Sequence, residues 1–371
     1  MSCDYIALAT QGVQGLNPYQ PGKPIEELER ELGISGIVKL ASNENPLGPS
    51  EKVISAMESA FADMARYPDG NAFLLKAALA DRYGEQYNVE QDQISIGNGS
   101  NDILELLGAA YLQEQTSEVI FSQHSFAVYP LVTQARGAKA VVVPAKNWGN
   151  DLDAMAAAVT ENTKLIFIAN PNNPTGTWDK QEALVSFLNK VPKEVIVVLD
   201  EAYAEYVTDP DYPNGLSLLS KYENLVVTRT FSKAYGLASL RVGYSISNAQ
   251  IADVLNRVRQ PFNVNTYAQV AAVAALNDVE YLEKSRQLND EGLKQLTDAF
   301  NRLGLEFIPS VGNFISFDLK QEGMPIYNAL LREGVIVRPI ANYGMPTFLR
   351  VSVGLPEENE KFIKALESVL A

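Results

Sequence analysis

Apolar and polar positions follow two different periods along the first two thirds of the chain. After Ser50, the apolar residues Val53, Met57 and Phe61 recur at helical spacing, and a second helical pattern, NAFLLKAALADRYG, should end at Gly84. Four later runs, EVIFS, LIFIAN, VIVVLD and NLVVTRT, are apolar and rich in β-branched residues, which is typical of strands buried on both faces. Helical segments separate these runs, so the pattern predicts a mostly parallel sheet with helices on both sides.

The two ends of the chain show other patterns. The first 35 residues are rich in Gly, Pro and Gln and predict an extended arm with one short helix at 24–32. After about residue 255, a long helical stretch precedes three strand patterns, GNFISFDL, VIVRPI and FLRVSVG. We therefore predict an arm over 1–40, which joins the small domain or a dimer partner, a large domain over 41–258 and a small α+β domain over 259–371.

Composition and charge exclude several classes of function. The 371 residues carry a formal net charge of −15, which argues against nucleic acid and anionic membranes as partners. Cys3 and His124 are the only residues of their kinds, so neither an internal disulfide nor a multi-histidine metal site is expected, and we interpret His124 as structural or peripheral. We find neither a signal-peptide pattern nor the roughly 20 apolar residues that a membrane span requires, and we expect a cytoplasmic protein.

Polar side chains stand where three of the predicted strands end. LIFIAN ends at Asn170, VIVVLD ends at Asp200, and NLVVTRT is followed by Ser232 and Lys233. Each residue has a simpler interpretation, because Asn170 could cap a turn, Asp200 could cap a helix and Lys233 could be a surface residue. In open parallel sheets, however, ligands bind beyond the carboxyl ends of the strands, so the order of these groups predicts one shared crevice.

An upstream glycine-rich turn completes this set. The segment ISIGNGSNDILELLGAA predicts a short strand, a turn and a helix that begins near Asn101. The free N–H groups at such a helix start bind phosphate, but the helix dipole contributes only about 0.3–1 kcal/mol. Ser232 and Arg241 are therefore expected to supply further donors.

Taken together, these motifs resemble a known family. NENPLG, GNGSNDILELL, NPNNPTG, LDEAY and TFSKAYGLASLRVGY are similar to the motifs of the fold-type I, pyridoxal-phosphate-dependent aminotransferases. The resemblance covers essentially the whole chain. It implies a PLP-dependent transferase fold with a large domain, a smaller α+β domain and an N-terminal arm. The arm and the segment ARYPDG resemble the branch of the family that acts on histidinol phosphate.

The resemblance implies a role for each residue at the strand ends. Lys233 would form the internal Schiff base with the cofactor and then carry the proton that the reaction moves. Asp200 would keep the pyridine nitrogen protonated, while Asn170 and Tyr203 would bind the phenolic oxygen. The remaining cofactor-binding residues would be a stacking aromatic ring, Phe126, and a phosphate cradle of Ser100, Asn101, Ser232 and Arg241.

The resemblance also implies substrates and a dimer. Arg350 would bind a substrate anion and Arg338 would help to hold the substrate phosphate. Tyr19, in the arm, would close over the substrate, and Asn43 would line the entrance. Tyr67 would reach the cofactor phosphate of the partner subunit in a homodimer. The expected reaction converts histidinol phosphate and 2-oxoglutarate to imidazole acetol phosphate and glutamate, in histidine biosynthesis.

Three other functions stay open at this stage. An aromatic amino-acid aminotransferase is the nearest alternative, and a threonine-phosphate decarboxylase is a more distant one. A cofactor-binding regulator without turnover would need a DNA-binding module, for which the chain shows neither a basic recognition helix nor a suitable extension.

Overall fold

A computed structural model describes residues 3–18 and 22–371 of the chain. The strands are β1 Val38–Lys39, β2 Ile94–Gly97, β3 Glu118–Ser122, β4 Lys139–Val143, β5 Thr163–Ala169, β6 Ile196–Asp200, β7 Leu225–Thr230, β8 Gly243–Ser247, β9 Glu306–Ile308, β10 Phe314–Asp318, β11 Val335–Ile336, β12 Arg338–Pro339 and β13 Phe348–Ser352. The α-helices are α1 Gln11–Gln14, α2 Ile25–Leu32, α3 Glu51–Ala60, α4 Phe73–Tyr87, α5 Ser100–Tyr111, α6 Val128–Ala135, α7 Leu152–Ala157, α8 Gln181–Leu188, α9 Ala249–Val258, α10 Thr266–Leu276, α11 Val279–Leu303, α12 Gly323–Arg332 and α13 Pro356–Leu370.

A seven-stranded sheet in the order β2-β8-β7-β6-β5-β3-β4 forms the centre of the large domain. Strands β3 to β7 run parallel, and β8 is antiparallel to both β2 and β7. Side chains of β6 pack into two separate cores, Val197 and Leu199 on one face and Ile196 and Val198 on the other. This double burial is why the four central runs are apolar throughout, and it confirms the predicted sheet with helices on both sides.

The small domain is built on the antiparallel sheet β12-β13-β10-β9. Its core contains Leu296 and Phe300 of α11 and the inward-facing residues of β10 and β13. The arm joins this domain, because Val38 of β1 pairs with Val335 of β11 in parallel.

The change from one core to the other falls later than the predicted boundary between residues 258 and 259. Helix α10 packs into the large-domain core through Ala268, Ala271 and Ala275, whereas the C-terminal half of α11 belongs to the small-domain core. The helical stretch after residue 255 therefore contributes to both domains.

The predicted end of α4 at Gly84 is wrong. The helix continues to Tyr87 and ends at Asn88, which adopts the left-handed conformation with φ 55°. The amide of Asn88 donates a hydrogen bond of 2.8 Å to the carbonyl oxygen of Gly84. Asparagine tolerates this conformation better than most residues, so it can end the helix where a glycine was expected.

Two features of the described ranges concern membranes and metal ions. Among residues 3–18 and 22–371, no helix is long and apolar enough to cross a membrane. The same residues contain no group of three or more His, Cys, Asp or Glu side chains that could hold a metal ion.

Candidate active site

A pocket of about 170 Å³ lies beyond the carboxyl ends of β6 and β7, between the start of α5 and the small domain. Its lining includes Gly22, Ser42, Asn43, Ser100, Asn101, Phe126, Asn173, Asp200, Tyr203, Ser232, Lys233, Arg241, Arg338, Tyr343 and Arg350. The position follows from the topology, because the carboxyl ends of parallel strands share one edge of the sheet. The structure thus brings together most of the side chains that the strand ends and the glycine-rich turn predicted.

The amine of Lys233 is held inside this pocket. Its Nζ donates a hydrogen bond of 3.0 Å to the carbonyl oxygen of Ser42 and lies 5.8 Å from the centre of the Tyr203 ring. Burial lowers the pKa of Lys233 to about 7, and the positive charge of Arg350 acts in the same direction. A substantial fraction of this lysine is therefore neutral, and thus nucleophilic, near neutral pH.

Asp200 is buried at the end of β6, and two neutral hydroxyl groups hold its carboxylate. Tyr129 donates to Oδ2 at 2.9 Å and Thr228 donates to Oδ1 at 3.1 Å. Burial raises the pKa of Asp200 to about 6, although both hydrogen bonds act to lower it. A cation that approached this carboxylate would stabilise its charged form.

Tyr203 is positioned by residues that are distant in sequence. Asn43 donates from Nδ2 to Tyr203 Oη at 2.9 Å, and Ser352 of β13 donates from Oγ to Asn43 Oδ1 at 2.9 Å. The backbone N–H of Asn43 returns a hydrogen bond of 2.8 Å to Ser352 Oγ. Asn43 adopts φ 54°, a conformation that asparagine tolerates. Asn43 therefore links the phenol of Tyr203 to the small domain.

The structure does not bring Asn170 into the pocket, which corrects its predicted role. Asn170 is fully buried, its Oδ1 accepts from the backbone N–H of Asp179 at 2.8 Å, and its Nδ2 donates to the Asp179 carbonyl at 3.4 Å. Asn173 lines the pocket instead, four residues beyond the end of β5. Its presence in NPNNPTG was the available signal, but the strand pattern pointed to the first asparagine.

The start of α5 and Arg241 form a cradle that is too close-fitting for extra side-chain atoms. Arg241 donates from Nη1 to Ser232 Oγ at 3.3 Å. A Cβ added at Gly99, which has φ 77°, would lie 2.6 Å from Arg241 Nη2, and one at Gly243 would lie 2.4 Å from the amide nitrogen of Ser100. Glycine is thus required at both positions. Backbone N–H groups and the guanidinium of Arg241 meet at the start of the helix, where together they can bind an anion.

Two arginines of the small domain reach the same pocket. Arg350 donates to Asn173 Oδ1 at 2.5 Å and to the Ala41 carbonyl at 2.8 Å, and its guanidinium carbon lies 5.2 Å from the centre of the Phe314 ring. Arg338 on the neighbouring strand is also buried at the pocket. These hydrogen bonds join the small domain to the NPNNPTG segment and to the end of the arm.

The other predicted residues lie at different places. Phe126 lines the pocket and contacts the Tyr129 ring edge-on at 5.9 Å between centroids. Tyr67 is 82% exposed outside the pocket and stacks on Phe262 at 4.8 Å. Tyr19 lies outside the described residues. His124 is buried next to the pocket, with Nδ1 2.6 Å from the Tyr343 carbonyl oxygen.

Sequence reasoning missed several residues that hold the site in place. Tyr129, Thr228, Ser42 and Ser352 position other groups through the hydrogen bonds described above. They come from a helix, a strand interior, a loop and the last strand, so no local pattern separates them from structural residues.

The chain belongs to the family Aminotransferase class I and II, whose model matches residues 35–366. It is 61% identical over 373 aligned residues to histidinol-phosphate aminotransferase 2 of Pseudomonas fluorescens, with 100% of both chains covered. The protein of the same name from Pseudomonas aeruginosa is 60% identical, with 99% of each chain covered. The predicted family is confirmed.

Solved structures give the same fold. Histidinol-phosphate aminotransferase from Sinorhizobium meliloti, solved in complex with pyridoxal-5'-phosphate, matches with a TM-score of 0.88 at 29% identity over 97% of each chain. Aspartate aminotransferase from Thermus thermophilus with maleate matches with a TM-score of 0.84 at 21% identity, over 97% of this chain and 99% of that one, which supports the fold alone. The fold is that of the type I aminotransferases, as predicted.

Proposed function

We propose that this protein binds pyridoxal 5'-phosphate and transfers an amino group between histidinol phosphate and 2-oxoglutarate, giving imidazole acetol phosphate and glutamate reversibly. The observation that carries the proposal is the buried amine of Lys233, whose pKa is lowered to about 7, in one pocket with Asp200 and two arginines. The identity of 61% to a full-length relative with this name supports the substrate.

The residues of the pocket fit this cofactor. Asp200 is a buried carboxylate held by two neutral donors, so a protonated ring nitrogen would supply the missing positive charge. The cradle at Gly99, Ser100 and Arg241 suits a phosphate group, because added side-chain atoms would block it. Phe126 offers a ring to stack on, and Lys233 offers an amine for the aldehyde.

Each residue then has a task that its environment supports. When bound, the cofactor supplies an aldehyde that takes up the amino group and a ring that accepts the electrons left by the substrate α-proton. Lys233, neutral in part near pH 7, acts as the nucleophile and then moves the α-proton on its Nζ. Asp200 would hold the proton on the ring nitrogen, while Tyr203 Oη and Asn173 Nδ2, rather than Asn170, would hydrogen-bond the phenolic oxygen.

The arginines give the site its preference for anions. Arg350 is oriented by Asn173 and by the Ala41 carbonyl, and it binds the carboxylate of glutamate and an anionic group of histidinol phosphate. Arg338 binds the phosphate, which histidinol phosphate carries and glutamate does not. Gly22, three positions after Tyr19 in the sequence, lines the pocket, and we assign Tyr19 the role of covering the substrate.

A homodimer in the cytoplasm completes the proposal. Tyr67 is 82% exposed and stacked on Phe262. Two residues that precede it in the sequence, Phe61 and Met64, also have exposed apolar side chains. An exposed apolar patch of this kind is typical of an interface, and a second subunit would bury it. Tyr67 would then contribute its hydroxyl to the cofactor phosphate of the partner.

The test joins chemistry to substrate choice. Borohydride reduction of the yellow protein should fix the cofactor to the peptide that contains Lys233, and Lys233→Ala should lose nearly all turnover. The matched control is Lys39→Ala, a nearby lysine that pairs with Glu44 at 3.0 Å. With 2-oxoglutarate as acceptor, histidinol phosphate should be a better substrate than phenylalanine. Label on another lysine, or a preference for phenylalanine, would contradict the proposal.

A further inference from the structure

A second pocket of about 580 Å³ shares no lining residue with the active site but adjoins it along the chain. Tyr203 lines the active site, and the next two residues, Ala204 and Glu205, line the second pocket. Its other walls come from α4 through Arg82, from β7 and from α11 through Arg286. Its volume lies within the range of small-molecule sites, about 300–1,000 Å³.

Two buried polar groups in this pocket lack partners. Glu205 is 6% exposed and Tyr235 is 2% exposed. In the described part of the chain, no other residue forms a hydrogen bond with either carboxylate oxygen of Glu205 or with the hydroxyl of Tyr235. Buried polar atoms are almost always hydrogen-bonded, so both groups point to a ligand that donates to them.

The arginines around Glu205 fall into two groups, one whose guanidinium is fully hydrogen-bonded and one whose guanidinium groups are not. Arg229 is fully engaged, because it donates to Glu201 Oε2 at 2.7 Å, to Asn214 Oδ1 at 2.9 Å and to Tyr83 Oη at 3.3 Å. Burial raises the pKa of Glu205, while the positive charges of Arg229 and Arg82 oppose that rise.

Arg82 and Arg286 are held less completely. Arg82 donates from Nη1 to the Leu276 carbonyl at 3.0 Å. Arg286 donates from Nε to the Glu205 carbonyl at 2.5 Å, and its Nη1 lies 3.5 Å from the exposed Glu283. The pocket therefore has a buried carboxylate in its wall, together with two guanidinium groups that can bind an anion. Its walls also include four aromatic rings, those of Tyr83, Tyr87, Tyr212 and Tyr235.

We propose that this second pocket binds a free α-amino acid with a planar side chain. The ammonium group donates to Glu205, the carboxylate binds Arg82 and Arg286, and the side chain packs on the tyrosine rings. A simple anion would leave Glu205 without a donor, and a simple cation would leave the arginines without an acceptor. A zwitterion satisfies both, and flat side chains pack well against aromatic rings.

Calorimetric titration of the cofactor-loaded protein with L-histidine and with L-phenylalanine tests this site. At least one should bind once per chain without changing the absorbance of the cofactor, which reports on the active site. Glu205→Gln, which keeps the shape and removes the charge, should weaken binding about tenfold or more. Imidazole, which lacks the amino-acid head group, should not bind.

Two further variants make the result decisive. Arg82→Gln changes an exposed residue, so it should fold normally and also weaken binding about tenfold. Glu291→Gln alters an exposed carboxylate on the same helix as Arg286, outside the pocket, and should leave binding unchanged. The proposal is overturned if neither amino acid binds, if the only binding is accompanied by a change in the cofactor absorbance, or if Glu205→Gln and Arg82→Gln bind as tightly as the parent protein.

Discussion

Arg338 and Arg350 lie directly opposite each other on the antiparallel strands β12 and β13, and both line the active-site pocket. Like charges placed directly opposite destabilise a pair of strands. An anion bound between the two guanidinium groups would relieve that repulsion. Their pairing is therefore a structural reason to expect a doubly charged substrate group here, in a protein whose net charge is −15.

Replacing these arginines should affect the two substrates differently. A charge-assisted hydrogen bond contributes about 1.5–3 kcal/mol, so Arg338→Ala should lower kcat/KM for histidinol phosphate roughly 10- to 150-fold. The same change should affect glutamate much less, because glutamate carries no phosphate. Arg350→Ala should impair both substrates. Steady-state kinetics of both half-reactions measure this, and an equal loss for both substrates in Arg338→Ala would assign Arg338 a structural role.

The two asparagines of NPNNPTG should separate catalysis from stability. Asn173→Ala removes the acceptor of the 2.5 Å hydrogen bond from Arg350, so it should lower turnover more than stability. Asn170→Ala leaves the backbone N–H of Asp179 without its buried acceptor and should cost about 1–3 kcal/mol of unfolding free energy. Urea unfolding and kinetics of both variants check this, and the reverse pattern would restore Asn170 to the site.

The pKa of Asp200 predicts a pH-dependent effect on the cofactor-free protein. Because burial raises this pKa to about 6, the ionisation of Asp200 in the folded protein lowers the free energy of unfolding. This loss is absent at low pH and grows as the pH rises from the pKa of the unfolded chain towards 6. Asp200→Asn removes that cost. It should stabilise the cofactor-free protein by about 2–3 kcal/mol at about pH 7.5 and by less than about 1 kcal/mol at about pH 4.5.

Urea unfolding at the two pH values measures this difference, and the parent protein corrects for all other titrating groups. The loaded enzyme should respond in the opposite sense, since Asp200→Asn removes the charge that holds the ring proton and should lower turnover by orders of magnitude. A gain in stability that does not vary with pH would mean that the pKa of Asp200 is the same in the folded and the unfolded protein.

Mixed dimers test whether Tyr67 serves the neighbouring subunit. Tyr67→Ala and Lys233→Ala should each be inactive or nearly so. When the two variants are mixed, unfolded and refolded together, activity should return, because one site in each heterodimer is intact. Phe73→Ala, which changes another exposed apolar residue of this region, is the control for nonspecific effects on assembly. A fully active monomer in sedimentation would contradict the shared site.

The sequence predicts the central strands and the groups at their ends because both features produce local patterns. Burial on both faces makes a strand apolar throughout, and polar residues at the carboxyl ends of parallel strands meet at one edge of the sheet. Strand β6 and Asp200 show this most clearly. The end of α4 at Asn88 and the membership of α10 in the large-domain core were not predictable, because a left-handed asparagine and the core that a helix joins depend on tertiary contacts. Asn173 was missed for a related reason, since it lies four residues beyond the end of β5 and only the path of the following turn brings it to the pocket.

The hydrogen bonds between Asn43 and Ser352 set the order of events during synthesis. Tyr203 Oη receives its donor from Asn43, and Asn43 is in turn fixed by a residue of β13, the last strand to be made. A growing chain that has already formed the whole large sheet still lacks this support. The pocket therefore reaches its final geometry only after translation has passed Ser352.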